Sequence, residues 1–162
     1  MIRPVAVMAA ETRRGALETM REQTEQLALR YLSRRDRTRA QMRAYLIRTG
    51  ASPARVRTVL KKFASLGYLN DTAYALKWGA SRLAHRPMGR ERLAAELSGQ
   101  GIDVETAVAA LDHLYEECSE TDLARRFLTR RSPNAALLRR HGFSEDTIEV
   151  VLGRAIDGDS AL

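Results

Sequence analysis

Three glycines, each set in the same local pattern, most limit how this chain can fold. Gly50, Gly101 and Gly142 each have a leucine four residues before them and a leucine ten residues after them. Each is followed by an apolar residue and then by a residue that often caps a helix: Ala51 and Ser52, Ile102 and Asp103, Phe143 and Ser144. Glycine ends helices in the left-handed conformation at little cost, and Ser or Asp begins the next helix. The pattern predicts an internal repeat of helix–glycine–helix corners.

Each corner has a further helical stretch before it. Apolar residues at helical spacing predict helices over residues 23–35, 71–85 and 121–131, with Asp71 as the N-cap of the second. In the first corner, residues 53–66 form an amphipathic helix that starts with Pro53 at its first position. No alternation typical of strands competes with these helices. We therefore expect an all-α fold of tandem three-helix, helix-turn-helix-like repeats, elongated or curved, in which the repeats stack.

The repeat divides the chain into five segments. Residues 1–23 form an N-terminal extension, partly disordered or helical, in which we expect residues 1–10 to be mobile and residues 11–20 to be able to extend a helix. Residues 24–67, 68–117 and 118–155 form repeats 1, 2 and 3, and residues 156–162 form a C-terminal tail.

The positive charge is concentrated in one repeat. The whole chain has a formal net charge of +7, but residues 24–67 alone carry eleven basic and two acidic side chains. Residues 68–117 have a net charge of −3, and residues 118–162 have none. Such an excess indicates an anionic partner rather than a particular fold. A second group of six arginines (Arg125, Arg126, Arg130, Arg131, Arg139 and Arg140) is balanced by seven acidic residues in its own segment.

The basic residues of repeat 1 are not demanded by the repeat itself. Four of them lie on one face of the helix over residues 53–66, and at the equivalent positions the other two repeats have neutral, acidic and basic residues alike. A solvated face is the alternative interpretation. We predict that this face and the connector before it contact an anionic partner through nine residues: Arg34, Arg35, Arg37, Arg39, Arg43, Arg55, Arg57, Lys61 and Lys62.

The sequence has no constellation that indicates catalysis, a cofactor or a metal. The three histidines are far apart and lack a second ligand at zinc spacing, and no glycine-rich phosphate loop is present. The single cysteine, Cys118, cannot form an intrachain disulfide, and no apolar run is long enough to span a membrane. We expect a monomeric cytoplasmic protein that is not an enzyme.

Three stretches together resemble the bacterial regulatory RecX family. They are ALRYLSRRDRT at residues 28–38, FASLGYLNDTAYA at 63–75 and HRPMGRERLAAELSGQGID at 85–103, and the likeness covers about residues 24–155. Asn70 stands where the family usually has an acid, and repeat 3 matches least. The matching motif residues are architectural in type: Gly67, Tyr68, Leu69, Asp71, Glu96, Leu97 and Gly101.

The resemblance implies an all-helical modulator of the RecA recombinase. Proteins of this family bind the RecA filament on single-stranded DNA, within its helical groove, and inhibit ATP hydrolysis and strand exchange. It therefore implies the RecA filament as partner, a role in recombination, DNA repair and the SOS response, and possible direct contact with single-stranded DNA. The alternative function is that of a stand-alone helix-turn-helix DNA-binding protein, because a capped basic helix after a turn also fits a DNA reader.

Overall fold

The computed structural model describes residues 5–129 and 131–158, and the side chains within residues 14–129 and 131–153. The described chain is all-α, without strands. Its nine helices are α1 (Val5–Leu32), α2 (Arg39–Arg48), α3 (Pro53–Ser65), α4 (Asp71–His85), α5 (Arg90–Gly99), α6 (Val104–Glu117), α7 (Glu120–Leu128), α8 (Ala135–Arg140) and α9 (Glu145–Gly158). The predicted fold class, tandem three-helix repeats, is confirmed.

The chain folds into two compact units, Met1–Asn70 and Asp71–Leu162, called unit 1 and unit 2 below. In unit 1, α1 packs against α2 and α3 around a core that includes Met42, Leu46 and Phe63. In unit 2, α6 packs against α4 and α5, and α9 packs against α7 and α8. One continuous apolar core runs through all of unit 2, so helices α7–α9 share it with helices α4–α6.

The three predicted glycine corners are confirmed. Gly50, Gly101 and Gly142 have φ values of +87°, +80° and +77°, the left-handed conformation that glycine adopts most easily. After each glycine, the backbone N–H of the next residue donates to the carbonyl of the leucine four residues before the glycine, over 3.1 to 3.3 Å. This bond closes a Schellman motif, which satisfies a carbonyl that the helix end leaves free. The three leucines are fully buried, which explains why leucine recurs at this position: Leu46, Leu97 and Leu138.

The predicted caps after the glycines are also confirmed. The side chains of Ser52, Asp103 and Ser144 each accept a hydrogen bond from the backbone N–H three residues later. Pro53 occupies the first position of α3, where its missing N–H costs nothing. The local sequence therefore determines each of these helix starts.

Several helix boundaries differ from the expectation. Helix α1 is continuous from Val5 to Leu32, so residues 5–10, expected to be mobile, are helical, and residues 1–4 lie outside the described part. Asp71 is the first residue of α4 rather than the cap before it. Helix α7 ends at Leu128, three residues before the predicted end. Helix α9 runs to Gly158, into the segment assigned to a tail, whose residues 159–162 lie outside the described part.

A carboxylate joins three helix starts inside unit 2. Glu120, the first residue of α7, accepts hydrogen bonds from the backbone N–H of Arg90 at 2.8 Å, the hydroxyl of Ser144 at 2.5 Å and the hydroxyl of Thr147 at 2.8 Å. Burial acts to raise the pKa of Glu120, but these hydrogen bonds outweigh it and lower the pKa. A negative charge is favourable at a helix N-terminus, and here it faces the starts of α5, α7 and α9.

Candidate interaction surface

All nine predicted contact residues lie in unit 1. Arg34, Arg35 and Arg37 follow α1, Arg39 and Arg43 lie on α2, and the other four lie on α3. Six side chains are exposed: Arg34, Arg35, Arg39, Arg43, Arg57 and Lys61. Three are half-buried: Arg37, Arg55 and Lys62. The structure therefore separates the nine into six exposed side chains and three half-buried ones.

Arg37 packs against an aromatic pair. Its guanidinium carbon lies 3.9 Å from the ring centre of Tyr31, and the Tyr31 and Tyr45 rings stack at 4.1 Å with an angle of 5° between their planes. The Nε atom of Arg37 is buried without a hydrogen-bond partner among the described residues. A cation over an aromatic face is attracted to it, so Arg37 stabilises the junction of α1 and α2.

Lys62 and Arg55 reach back to α1. The ammonium of Lys62 lies 2.6 Å from the Glu25 carboxylate, and this hydrogen bond lowers the pKa of Glu25. Arg55 donates to the sulfur of Met20 at 3.1 Å. Half of the α3 group therefore contacts α1, which the sequence pattern did not indicate because Glu25 and Met20 are more than 30 residues away in the chain.

The residues that remain most accessible form a smaller set. Arg57 and Lys61 are exposed one turn apart on α3, so they lie on one face of the helix. Arg39 and Arg43 have the same spacing on α2, and Arg34 and Arg35 lie in the turn after α1. Exposed guanidinium and ammonium groups can bind phosphate or carboxylate oxygens.

The second group of six arginines does not form a common patch. Arg125 pairs with Asp122 at 2.9 Å, and Arg139 makes two hydrogen bonds to Glu145 at 2.6 and 2.8 Å. Arg126 donates to the carbonyl of Ala84, and Arg130 lies outside the described residues. Arg125, Arg126 and Arg139 are therefore engaged within unit 2, and Arg131 lines a cleft described below.

The described residues contain no cluster of three or more His, Cys, Asp or Glu side chains that could hold a metal ion. Cys118 is a half-buried free thiol. Within the same residues, no helix is long and apolar enough to cross a membrane.

The chain matches the two RecX domain descriptions in order. Residues 26–63 match the first three-helix domain of RecX, and residues 70–111 match the second. The first match falls in unit 1, and the second falls in unit 2 apart from its first residue, Asn70. The first match covers the glycine corner at Gly50, and the second covers the corner at Gly101.

Relatives with the same name extend the likeness along most of the chain. The regulatory protein RecX of Thermobifida fusca is 37% identical over 131 residues, which is 78% of this chain and 71% of that protein. The regulatory protein RecX of Mycobacterium leprae is 35% identical over 145 residues, 81% of this chain and 85% of that protein. The crystal structure of RecX from Lactobacillus salivarius has the same fold, with a TM-score of 0.75, 23% identity, and coverage of 85% of this chain and 97% of that one. The chain belongs to the RecX family of regulatory proteins.

Proposed function

We propose that this protein binds the RecA filament on single-stranded DNA and inhibits its ATPase and strand-exchange activities. The observation that carries the proposal is membership of the RecX family, with matched domains in both units. The exposed basic residues of unit 1 support it, because a filament on DNA offers anionic groups from nucleic acid and from protein. In this function the chain acts as a monomer in the cytoplasm, without catalysis of its own.

Within unit 1, the contact is made by the exposed basic side chains. We assign the strongest part to Arg57 and Lys61 on α3, with contributions from Arg34, Arg35, Arg39 and Arg43 in the same unit. Arg37, Arg55 and Lys62 contribute less because each has an intramolecular contact in the structure. Two separately cored units on one chain also allow two linked contacts, which strengthen binding through effective concentration.

Adding the purified protein to preformed RecA–DNA filaments tests the function directly. We expect the rate of ATP hydrolysis by RecA to fall as the protein is added, and strand exchange to fall with it. Unchanged ATP turnover at saturating protein would contradict the proposal.

Two substitutions on α3 test the surface. The variant R57A/K61A should require a higher concentration for half-maximal inhibition, by about tenfold or more, since each side chain contributes a charge-assisted interaction. The control R125A/R140A removes the same charge from unit 2, and its inhibition curve should match that of the unsubstituted protein. Equal inhibition curves for R57A/K61A and the control would contradict the assignment of Arg57 and Lys61 to the contact surface. Replacing Arg55, Arg57, Lys61 and Lys62 together by alanine should weaken inhibition further, with no loss of helix content.

Salt dependence and sequence preference separate the alternatives. If single-stranded DNA is contacted directly, the logarithm of the affinity should fall with the logarithm of the salt concentration by about 0.7 per phosphate neutralised. A flat response would favour contact with protein alone. A consensus recovered from random DNA duplexes would instead support the helix-turn-helix DNA-binding function.

A further inference from the structure

Unit 2 contains a cationic cleft that the distribution of charge along the chain does not reveal. Its volume is about 410 Å³, within the size range of small-molecule sites. It is lined by four arginines and two histidines: Arg82, Arg86, Arg92, Arg131, His85 and His141. They come from α4, the segment after it, α5, the segment after α7 and the end of α8. This local excess of cations lies in a unit where residues 68–117 and 118–162 have net charges of −3 and zero.

Two glycines hold the walls of the cleft together. The backbone N–H of Gly89 donates to the carbonyl of His141 at 2.9 Å. A Cβ atom on Gly89 would lie 1.8 Å from the carbonyl oxygen of Gly142, so the two backbones touch. The cleft is therefore fixed by backbone contact between the start of α5 and the corner after α8, and a ligand meets a preformed site.

One carboxylate faces the cations, and it is already paired. Glu96 lies 2.6 Å from Arg82 and 3.5 Å from Arg92. Arg131 stacks on Phe127 at 4.3 Å and uses one of its five N–H groups on the Phe127 carbonyl. The exposed guanidinium of Arg86 has no hydrogen bond or ion pair among the described side chains. Among the lining residues, the four arginines exceed the single acid by three charges, and N–H donors remain for an anion.

The remaining wall is apolar. Pro87, Met88 and Phe127 line the cleft next to the arginines. Met88 and Phe127 are buried, and Arg131 and His141 pack on the Phe127 ring, so Pro87 offers the most open apolar surface. A phosphate offers three or more oxygens to several guanidinium groups at once, whereas a side-chain carboxylate offers two oxygens and a single charge.

We propose that this cleft binds the phosphate of a nucleotide, with the sugar or base against the half-buried Pro87. The nucleotide is either free or part of a single-stranded nucleic acid, and the phosphate chemistry is the same. The proposal does not depend on the RecA filament, because it concerns a cleft within unit 2 and the isolated protein.

A titration of the full-length protein followed by NMR tests the site. Inorganic phosphate and thymidine monophosphate should shift the backbone amide signals of Met88, Arg92 and His141, and thymidine, which lacks the phosphate, should not. The variant R86Q/R131Q should weaken binding of thymidine monophosphate by about tenfold or more. The control R125Q/R140Q loses the same charge from exposed residues that do not line the cleft, and its affinity should be unchanged.

The arms of the titration also identify the source. A short oligothymidylate that binds the cleft much more tightly than thymidine monophosphate indicates nucleic acid, and equal affinity indicates a free nucleotide. The proposal is overturned if thymidine binds as well as its monophosphate, if an oligoglutamate peptide shifts the cleft signals and phosphates do not, or if R86Q/R131Q behaves like its control. Because Arg131 also stacks on Phe127, the single variant R86Q keeps the test valid if the double variant does not fold.

Discussion

In unit 1 the exposed arginines and lysines lie close together in the chain, whereas the four arginines around the unit 2 cleft are spread over residues 82–131. Unit 1 has a large excess of positive charge, and much of it stays on the surface. The two repeats in unit 2 have no such excess, yet their fold gathers four arginines around one cavity with a single acid, Glu96, among its lining residues. The net charge of a segment therefore indicates a diffuse electrostatic surface, but it does not reveal a site assembled from distant segments.

Replacing a corner glycine by alanine should give the largest difference between the units in the loss of unfolding free energy. A Cβ atom on Gly142 would lie 2.4 Å from the backbone nitrogen of Arg92, whereas one on Gly50 would meet nothing within 4 Å. We expect G142A to reduce the free energy of unfolding of unit 2 by roughly 4 kcal/mol or more. G50A should cost unit 1 only about 1–2 kcal/mol, from the left-handed conformation alone.

Urea denaturation measures the loss of unfolding free energy in both variants. The single tryptophan, Trp78, lies in unit 2 and reports that unit by fluorescence, while far-ultraviolet circular dichroism reports both units. Similar losses for the two variants would mean that the backbone contact at Gly142 relaxes easily, and the comparison between the units would fail at this point.

Glu120 gives the next largest effect. The change E120Q removes the charge at three helix starts and should reduce the free energy of unfolding of unit 2 by about 1–3 kcal/mol at neutral pH. Folding lowers the pKa of this carboxyl below its usual 4.5, so the unfolded chain binds its proton more tightly. The stabilisation is therefore fully present above about pH 5 and is lost as the pH falls through the lowered pKa.

Trp78 fluorescence in urea, followed from neutral to acidic pH, checks this dependence. The gap between the original protein and E120Q should close as the pH falls. A gap that stays constant with pH would show that the hydroxyl and backbone contacts, not the charge, carry the stabilisation.

Substitution of Arg37 tests whether a predicted contact residue instead stabilises unit 1. R37A should reduce the free energy of unfolding of unit 1 by about 0.5–2 kcal/mol because the guanidinium leaves the face of Tyr31. R35A, at an exposed neighbour, should change it by less than about 0.5 kcal/mol. Thermal unfolding followed by circular dichroism compares the two variants, and equal stabilities would return Arg37 to the set of residues open to a partner.

The Glu25–Lys62 pair gives the smallest effect. Their side chains are 18% and 42% exposed, so solvent screens the interaction. A double-mutant cycle with E25Q and K62Q should give a coupling energy of about 0.2–1 kcal/mol that falls as salt is added. A coupling well above that range would show that Lys62 is held too strongly to serve a partner.

The parts of the fold that the sequence predicted are those governed by nearby residues. The corners at Gly50, Gly101 and Gly142 each depend on one glycine, the leucine four residues before it and the cap two residues after it, all within seven residues of the chain. The start of α1 was missed because its first residues carry no cap signal, and the helix nevertheless extends to Val5. The sequence did not indicate that Arg37 and Lys62 contact α1, and the contact face stays a prediction.

The sequence by itself determined the all-helical class, the glycine corners and the excess charge of repeat 1, because helix caps, left-handed glycines and formal charges are local properties. Only the tertiary structure decided that Gly89 and Gly142 touch, that Glu120 joins three helix starts and that arginines from four segments surround one cleft. These features depend on the packing of α4–α9 into one core, which brings together residues up to about 60 positions apart, and no local pattern encodes that approach.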